Sequence, residues 1–223
     1  MIDAHSTVGD IAATHPLATR VFARHRIDYC CGGGKPLMDV CASRGVPVDT
    51  VLAELENELR GSQISTVRWD LEPLRSLIDH ILANYHEPLR GELPRLMALA
   101  TKVHRVHGDK DPERLANVER TLKALAADID QHMQKEESVL FPMILDGQGF
   151  MADGPIAVME SEHDEVGNML RELRALTDDF TPPAEACNSW RALWAGLADL
   201  ERSLHEHIHL ENNILHVRAL NEM

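Results

Sequence analysis

The stretch His132-Met133-Gln134-Lys135-Glu136-Glu137-Ser138-Val139-Leu140-Phe141-Pro142 decides how the rest of this 223-residue chain is read. It closes an apolar stripe of Leu115, Val118, Leu122, Leu125, Ile129 and Met133, whose i, i+3, i+4 spacing is that of one helix face. A helix turns about 100° per residue, so His132 and Glu136 project the same way, one turn apart. A neutral imidazole and an ionised carboxylate converging from neighbouring positions are the ligand types a metal ion needs. The spacing recurs at His207-Ile208-His209-Leu210-Glu211, again on a predicted core-bearing helix. One such pair is a common surface hydrogen bond; two on long buried helices point to a metal centre.

The helices around these pairs follow from apolar periodicity and turn residues. A first runs from Leu74 with Leu77, Ile78, Ile81 and Leu82 on one face and continues through Val103, with Pro88 and Pro94 expected to kink or split it. Gly108-Asp109-Lys110-Asp111-Pro112 is a turn. A second helix is expected from Glu113 to Leu145, with Pro142 placed to end it early, a third from Ile156 to Thr177, and a fourth from Ala184 to Ala219, separated by loops at Gly147–Pro155 and Asp178–Pro183. Four long helices with short connections make an antiparallel four-helix bundle. The fold class is therefore all-α, and no strand pattern or solenoid period competes with it.

Antiparallel packing sets the ligand heights. Residues equally far from a shared turn lie at one level. The point midway between His86 and His132 falls in the Gly108–Pro112 turn, that between His132 and His163 beside Gly147, and that between His163 and His207 at the last loop. His86, His132, His163 and His207 can thus share one layer, with Glu136 and Glu211 a turn away. Six protein ligands exceed one open four-coordinate site and suit two ions with positions left for small molecules. Carboxylate-rich di-iron bundles carry two Glu-x-x-His motifs, and this chain has only Glu160-x-x-His163. The histidine-rich set suits iron, copper or zinc, and the bundle favours iron. His107 lies about 31 Å along a straight helix from His86 and is left out. His205 and His209 flank His207 on the opposite side and are expected in solvent; His80 and His104 are expected at the core edge or surface, and His5, His15, His25 and His216 gain no assigned partner.

Composition sets limits. Lys and Arg number 22 against 36 Asp and Glu, a formal charge of −14, which disfavours nucleic acid and anionic membrane as partners. No apolar run approaches a membrane span, Met1–Asp10 lacks a signal-peptide pattern, and four cysteines are no disulfide scaffold, so a reducing cytoplasm is expected. Aromatics are only 4%, poor for a β-rich fold, whereas histidine reaches 13.

The first 62 residues read as a separate small helical domain. Short helices are expected at Val8–Ala13, Pro16–Arg24, Pro36–Ser43 and Pro47–Leu59, with Gly61-Ser62-Gln63 as a linker. This gives a domain at 1–62, a linker at 63–69 and the bundle at 70–223. Cys30-Cys31 precede Gly32-Gly33-Gly34, where the missing side chains let the backbone bend and the thiols approach a partner. Backbone amides there could lower a thiol pKa, making the pair a redox or iron relay. Cys41 and Cys187 are expected to be small packing residues. Asp128 and Glu162 are candidate proton carriers.

Together these residues resemble a known family. His132–Pro142, Glu160-Ser161-Glu162-His163-Asp164-Glu165 and His207–Leu215 look like the ligand helices of hemerythrin-like domains, and Ile27-Asp28-Tyr29-Cys30-Cys31-Gly32-Gly33-Gly34 resembles the N-terminal domain of iron–sulfur cluster repair di-iron proteins. Where the family often carries Phe-Pro after Glu-Asn-Asn-x-Leu, this chain has His216-Val217, which bears on helix-end packing. The resemblance implies a non-haem, carboxylate-bridged di-iron centre on His86, His132, Glu136, His163, His207 and Glu211. It also implies repair of clusters damaged by nitrosative or oxidative stress, by iron donation or by reducing nitric oxide to nitrous oxide. Iron–sulfur proteins would be recipients, nitric oxide or dioxygen small ligands, and an electron donor and a homodimer are further expectations. The alternative is a hemerythrin-like module that binds or senses oxygen or nitric oxide without turnover; the thiol pair argues against a plain carrier.

Overall fold

The computed structural model describes residues 2–61 and 67–222. Residues 62–66, which include 63–66 of the expected linker, lie outside them. The described residues are helical, and the only β-type pairing among them is an isolated bridge between Thr7 and Pro36. None of their helices is long and apolar enough to cross a membrane. The chain forms two compact units, one of residues 1–78 with 205–223 and one of 79–204.

The first unit opens with α1 (Val8–Thr14), α2 (Ala18–Arg24), α3 (Leu37–Arg44) and α4 (Val48–Gly61). The Thr7 hydroxyl caps α1 by accepting the Asp10 N–H at 3.2 Å, and Gly45 ends α3 at φ 67°, a conformation glycine adopts without strain. Pro16, Pro36 and Pro47 precede helices rather than opening them. Val8, Ile11, Val21, Phe22, Leu37, Val51 and Leu55 make a small core of this unit's own.

The second unit is a helical bundle. Its helices are α5 (Leu74–Ile81), which the chain enters from the first unit, α6 (Glu87–His107), α7 (Pro112–Lys135), α8 (Phe141–Leu145), α9 (Asp153–Leu176) and α10 (Asn188–Leu210), which leaves it. α6 packs on α7 and α7 on α9. The whole α7 stripe named above is buried, each full side chain contributing about 1.5–3 kcal/mol of hydrophobic free energy. Gly196 lets α10 approach α6: a Cβ there would meet Leu96 Cδ2 at 2.5 Å. Arg174 Nε donates to Glu201 Oε1 at 3.0 Å and ties α9 to α10.

Three boundaries differ from expectation. α9 starts at Asp153, because Pro155 falls in the first turn, where no intrahelical N–H is needed. α10 starts at Asn188 rather than Ala184, because Arg191 donates to the carbonyls of Ala184 and Ala186 and holds that segment as turns. The third concerns the prolines. Pro94 sits inside an unbroken α6, and neither Pro88 nor Pro142 stops its helix. A π-helical turn precedes each of the latter two: π1 (Leu82–His86) and π2 (Glu136–Leu140). The carbonyl each proline ring would strike, four residues back, lies inside a widened turn.

Candidate metal centre

The bundle unit brings four of the candidate ligands together. His86 is the last residue of π1 and Glu136 the first of π2. Glu136 lies between two imidazoles, with His86 Nε2 3.3 Å from its Oε2 and His132 Nε2 3.4 Å from its Oε1. His163, on α9, places its Nε2 2.9 Å from His132 Nε2. His86 and Glu136 are 0% exposed, His163 2% and His132 5%, so the carboxylate needs a compensating charge close by.

The far sides of the rings decide their tautomers. His86 Nδ1 meets Glu137 Oε1 at 2.7 Å, and Arg90 Nη2 donates to both oxygens of that carboxylate at 2.6 and 2.8 Å. His132 Nδ1 meets Glu162 Oε2 at 2.9 Å, and Lys135 holds the other Glu162 oxygen. Burial alone would raise the Glu137 carboxyl pKa, but His86 and Arg90 hold it below its usual range; Lys135 and His132 do the same for Glu162. An ionised carboxylate at Nδ1 takes the Nδ1–H and leaves Nε2 a lone pair. His132, Glu136 and His163 then each offer a ligand atom within 4.8 Å of one another, and His86 stands at the other oxygen of the same carboxylate, an arrangement that a cation stabilises and an apolar core does not. The residues present fit a metal with nitrogen and oxygen ligands. Phe141 stacks on His86 with ring centroids 5.7 Å apart. A cavity of about 70 Å³, lined by His132, Glu162, Lys135 and Asp128 among others, opens beside the cluster.

The first unit carries the other pair. His207 Nε2 lies 2.8 Å from Glu211 Oε1, and both are buried. Glu211 opens a third π turn, π3 (Glu211–Leu215), followed by α11 (His216–Asn221). Each π turn closes with an N–H bonded five residues back: Glu87 to Leu82, Phe141 to Glu136, and His216 to Glu211. Each thus has a candidate ligand at its edge. π3 forms with Val217 where a proline would follow, and His216 is buried beneath it. The proline is therefore no condition for the turn.

The thiol loop belongs to this unit as well. Asp28 Oδ1 accepts the N–H of Cys30 at 3.2 Å, the N–H of Gly32 at 3.0 Å and the Cys30 S–H at 3.2 Å. The two sulfurs are 3.9 Å apart. Asn213 Nδ2, in π3, donates to the carbonyls of Tyr29 and Cys30 at 3.1 Å each. It sits in a notch between Gly9 and Gly33, where a Cβ on either glycine would come within 2.2 Å of Asn213 Oδ1. The hydrogen bond with Cys31, burial and the Asp28 charge push the Cys30 thiol well above its ordinary pKa. The backbone amides expected to favour a thiolate are given to Asp28 instead, so the expected lowering is reversed at Cys30.

Two comparisons with known proteins bear on this arrangement. The Hemerythrin HHE cation binding domain matches residues 77–219, and a Domain of Unknown function (DUF542) matches residues 4–59. The iron–sulfur cluster repair protein YtfE of Yersinia pseudotuberculosis serotype O:1b (strain IP 31758) is 44% identical over 216 residues, 97% of each chain. The protein of that name from Yersinia pestis (strain Pestoides F) is 43% identical over the same span. The chain belongs to the YtfE family.

Several side chains of this YtfE-family chain stand elsewhere than expected. His209 is buried rather than solvated: it meets the edge of Tyr29 at 5.4 Å and Asn213 Nδ2 at 3.1 Å, and burial lowers its pKa to about 4. Tyr29 occupies the side of α10 left to solvent by spacing alone. Cys187 is exposed rather than packed, 3.2 Å from Nε2 of His107, whose ring lies tilted against Trp190 with centroids 5.1 Å apart. His25 gains Glu54 as a partner at 3.0 Å. Cys41 is buried. Glu137, Asp28 and Asn213 were not singled out by spacing. Glu137 directly follows a ligand, as Glu162 directly precedes one. A carboxylate one residue from a ligand is rotated about 100° around the helix, towards the neighbouring helix's ring.

Proposed function

We propose that this chain is a non-haem di-iron protein that repairs iron–sulfur clusters damaged by nitrosative or oxidative stress, with His86, His132, Glu136, His163, His207 and Glu211 holding two iron ions. The observation that carries this reading is the buried Glu136 carboxylate between two imidazoles whose far nitrogens are fixed by outer carboxylates. The repeated His-x-x-x-Glu spacing and the third π turn support His207 and Glu211 as the rest of the set. The relatives' name supplies cluster repair and, with it, iron–sulfur proteins as recipients.

Six protein ligands shared by two iron ions would leave positions open on each, which would serve donation to a damaged cluster. The chain's own part is to hold the imidazoles by Glu137 and Glu162 and to present Glu136 between them. The small cavity beside His132 favours a second use, access of nitric oxide, with Asp128 and Glu162 on its lining as proton carriers. Reduction of two nitric oxide molecules to nitrous oxide and water consumes two protons and two electrons, so an external electron donor belongs to that use. Cys30 and Cys31 act as a redox or iron relay.

The test is transfer from anaerobically iron-loaded protein to an apo or nitric-oxide-damaged iron–sulfur acceptor. Recovery of acceptor activity in step with iron lost by this chain is expected, and none with Glu136→Ala. Binding of nitric oxide or dioxygen with no transfer and no nitrous oxide would replace this reading by a binding module.

A further inference from the structure

The Asp28–Cys30–Cys31 loop has the parts of a metal site of its own. A carboxylate oxygen of Asp28 and both sulfurs lie within 4.8 Å of one another. Two thiolates on one tetrahedral zinc-like ion, at about 2.3 Å from the metal, stand about 3.8 Å apart. The two sulfurs here are 3.9 Å apart. Cys30 Sγ to Asp28 Oδ1 is 3.2 Å, a hydrogen-bonded thiol separation, a few tenths short of the about 3.5 Å a shared ion would set. The proton on that contact occupies the place a cation would take.

The frame is fixed from outside the loop. Asn213 holds the carbonyl of Tyr29 and that of Cys30, the peptide joining the two cysteines. The Gly9–Gly33 notch that admits Asn213 is closed by the Gly9 N–H donated to the Gly33 carbonyl at 2.8 Å. The peptide joining the two cysteines is thus held at its carbonyl, with the sulfurs 3.9 Å apart.

We propose that Asp28, Cys30 and Cys31 form a thiophilic site for a borderline divalent cation such as ferrous iron or zinc, positioned by Asn213. This deepens the relay reading of the thiol pair, on which it rests, by assigning it metal binding rather than disulfide exchange and by adding a carboxylate ligand. Binding one divalent ion releases both thiol protons to solvent, with no change of oxidation state. Three protein ligands leave a fourth position open, the count of sites that exchange ligands rather than of closed structural ones.

Cobalt(II) is the probe, added anaerobically to the full-length protein. Thiolate ligation gives a sulfur-to-cobalt charge-transfer absorption that histidine and carboxylate ligation does not. The band is expected in the wild type and in Cys187→Ser, and lost in Cys30→Ser with Cys31→Ser. Asp28→Asn, which keeps the thiols and the side-chain shape, is expected to weaken cobalt binding at the band at least tenfold, and Asn213→Ala several-fold, with the helical circular dichroism unchanged. The band is also expected in His132→Ala with Glu136→Ala, which separates this site from the proposed iron centre. Absence of the band in the wild type, its survival without Cys30 and Cys31, or unchanged affinity in Asp28→Asn overturns the proposal. In each of those cases cobalt still bound by histidine leaves the proposed iron centre standing.

Discussion

The histidine–glutamate cluster of residues 79–204 and the thiol loop at 28–34 are built from similar parts and tuned in opposite directions. In the cluster, carboxylates sit behind the ligands. Glu137 and Glu162 hold Nδ1 of His86 and His132, so each Nε2 faces Glu136. In the loop, the carboxylate sits in front. Asp28 accepts the thiol hydrogen of Cys30 itself, and the hydrogen bond with Cys31, burial and the Asp28 charge together raise the thiol pKa. As proposed, a metal in the cluster would meet rings already oriented from behind, and one in the loop would displace thiol protons. The two placements of a carboxylate thus differ in what they do to the candidate ligand atom: behind an imidazole it orients the ring, and in front of a thiol it accepts that thiol's hydrogen.

The largest effect that would break this contrast is loss of Glu136. Glu136→Ala is expected to take metal content, measured by plasma emission spectrometry after anaerobic isolation, from about two irons to less than one. Cys30→Ser with Cys31→Ser is expected to leave that content unchanged. A sharper version removes the rear carboxylates. Glu137→Ala or Glu162→Ala is expected to weaken metal binding by about 10–100-fold, the usual cost of losing the partner behind a ligating histidine. Competitive chelator titration measures this, and an unchanged affinity would mean the tautomers are set by something else.

On the loop side, Gly33→Ala would drive a Cβ to 2.2 Å from Asn213 Oδ1 and 3.0 Å from the Tyr29 carbonyl. It is expected to cost about 1–3 kcal/mol in denaturant unfolding, as overpacking does, and to speed alkylation of Cys30. The smallest effect probes a carboxylate far from both sites. Lys123, then Thr101, hold the Glu119 pKa down to about 2, with His104 adding to them against a modest burial penalty. A depressed carboxyl stabilises the fold above its unfolded pKa and loses that contribution as pH falls through the folded value. After discounting for solvent screening, Glu119→Gln is expected to destabilise by about 1 kcal/mol at pH 7, the difference closing between about pH 4.5 and 2. Thermal melts across that range measure it.

Much of the architecture was legible because helices announce themselves by period. The α7 stripe from Leu115 to Met133 is buried as its spacing requires, and helix pairing about the Gly108 turn brings His86 beside Glu136 in the bundle unit. The π turns were not legible. Pro88 and Pro142 read locally as breaks, yet tertiary packing keeps the helix going by widening the turn before each. The surroundings of His209 were hidden for a different reason. Spacing along α10 places it opposite His207, and only long-range packing of Tyr29 shows that this opposite side is covered. Asn213 left one trace, two glycines, Gly9 and Gly33, with no turn at positive φ to explain them; their need becomes visible only when the Asn213 amide is seen between them.

The most direct test of the central claim is iron stoichiometry with the electronic spectrum of the anaerobically isolated full-length protein. Two irons per chain, an oxo-bridge absorption on controlled oxidation, and the loss of both in Glu136→Ala are the predicted result. One zinc per chain, or no metal in a protein whose helical content and stability are intact, would contradict it.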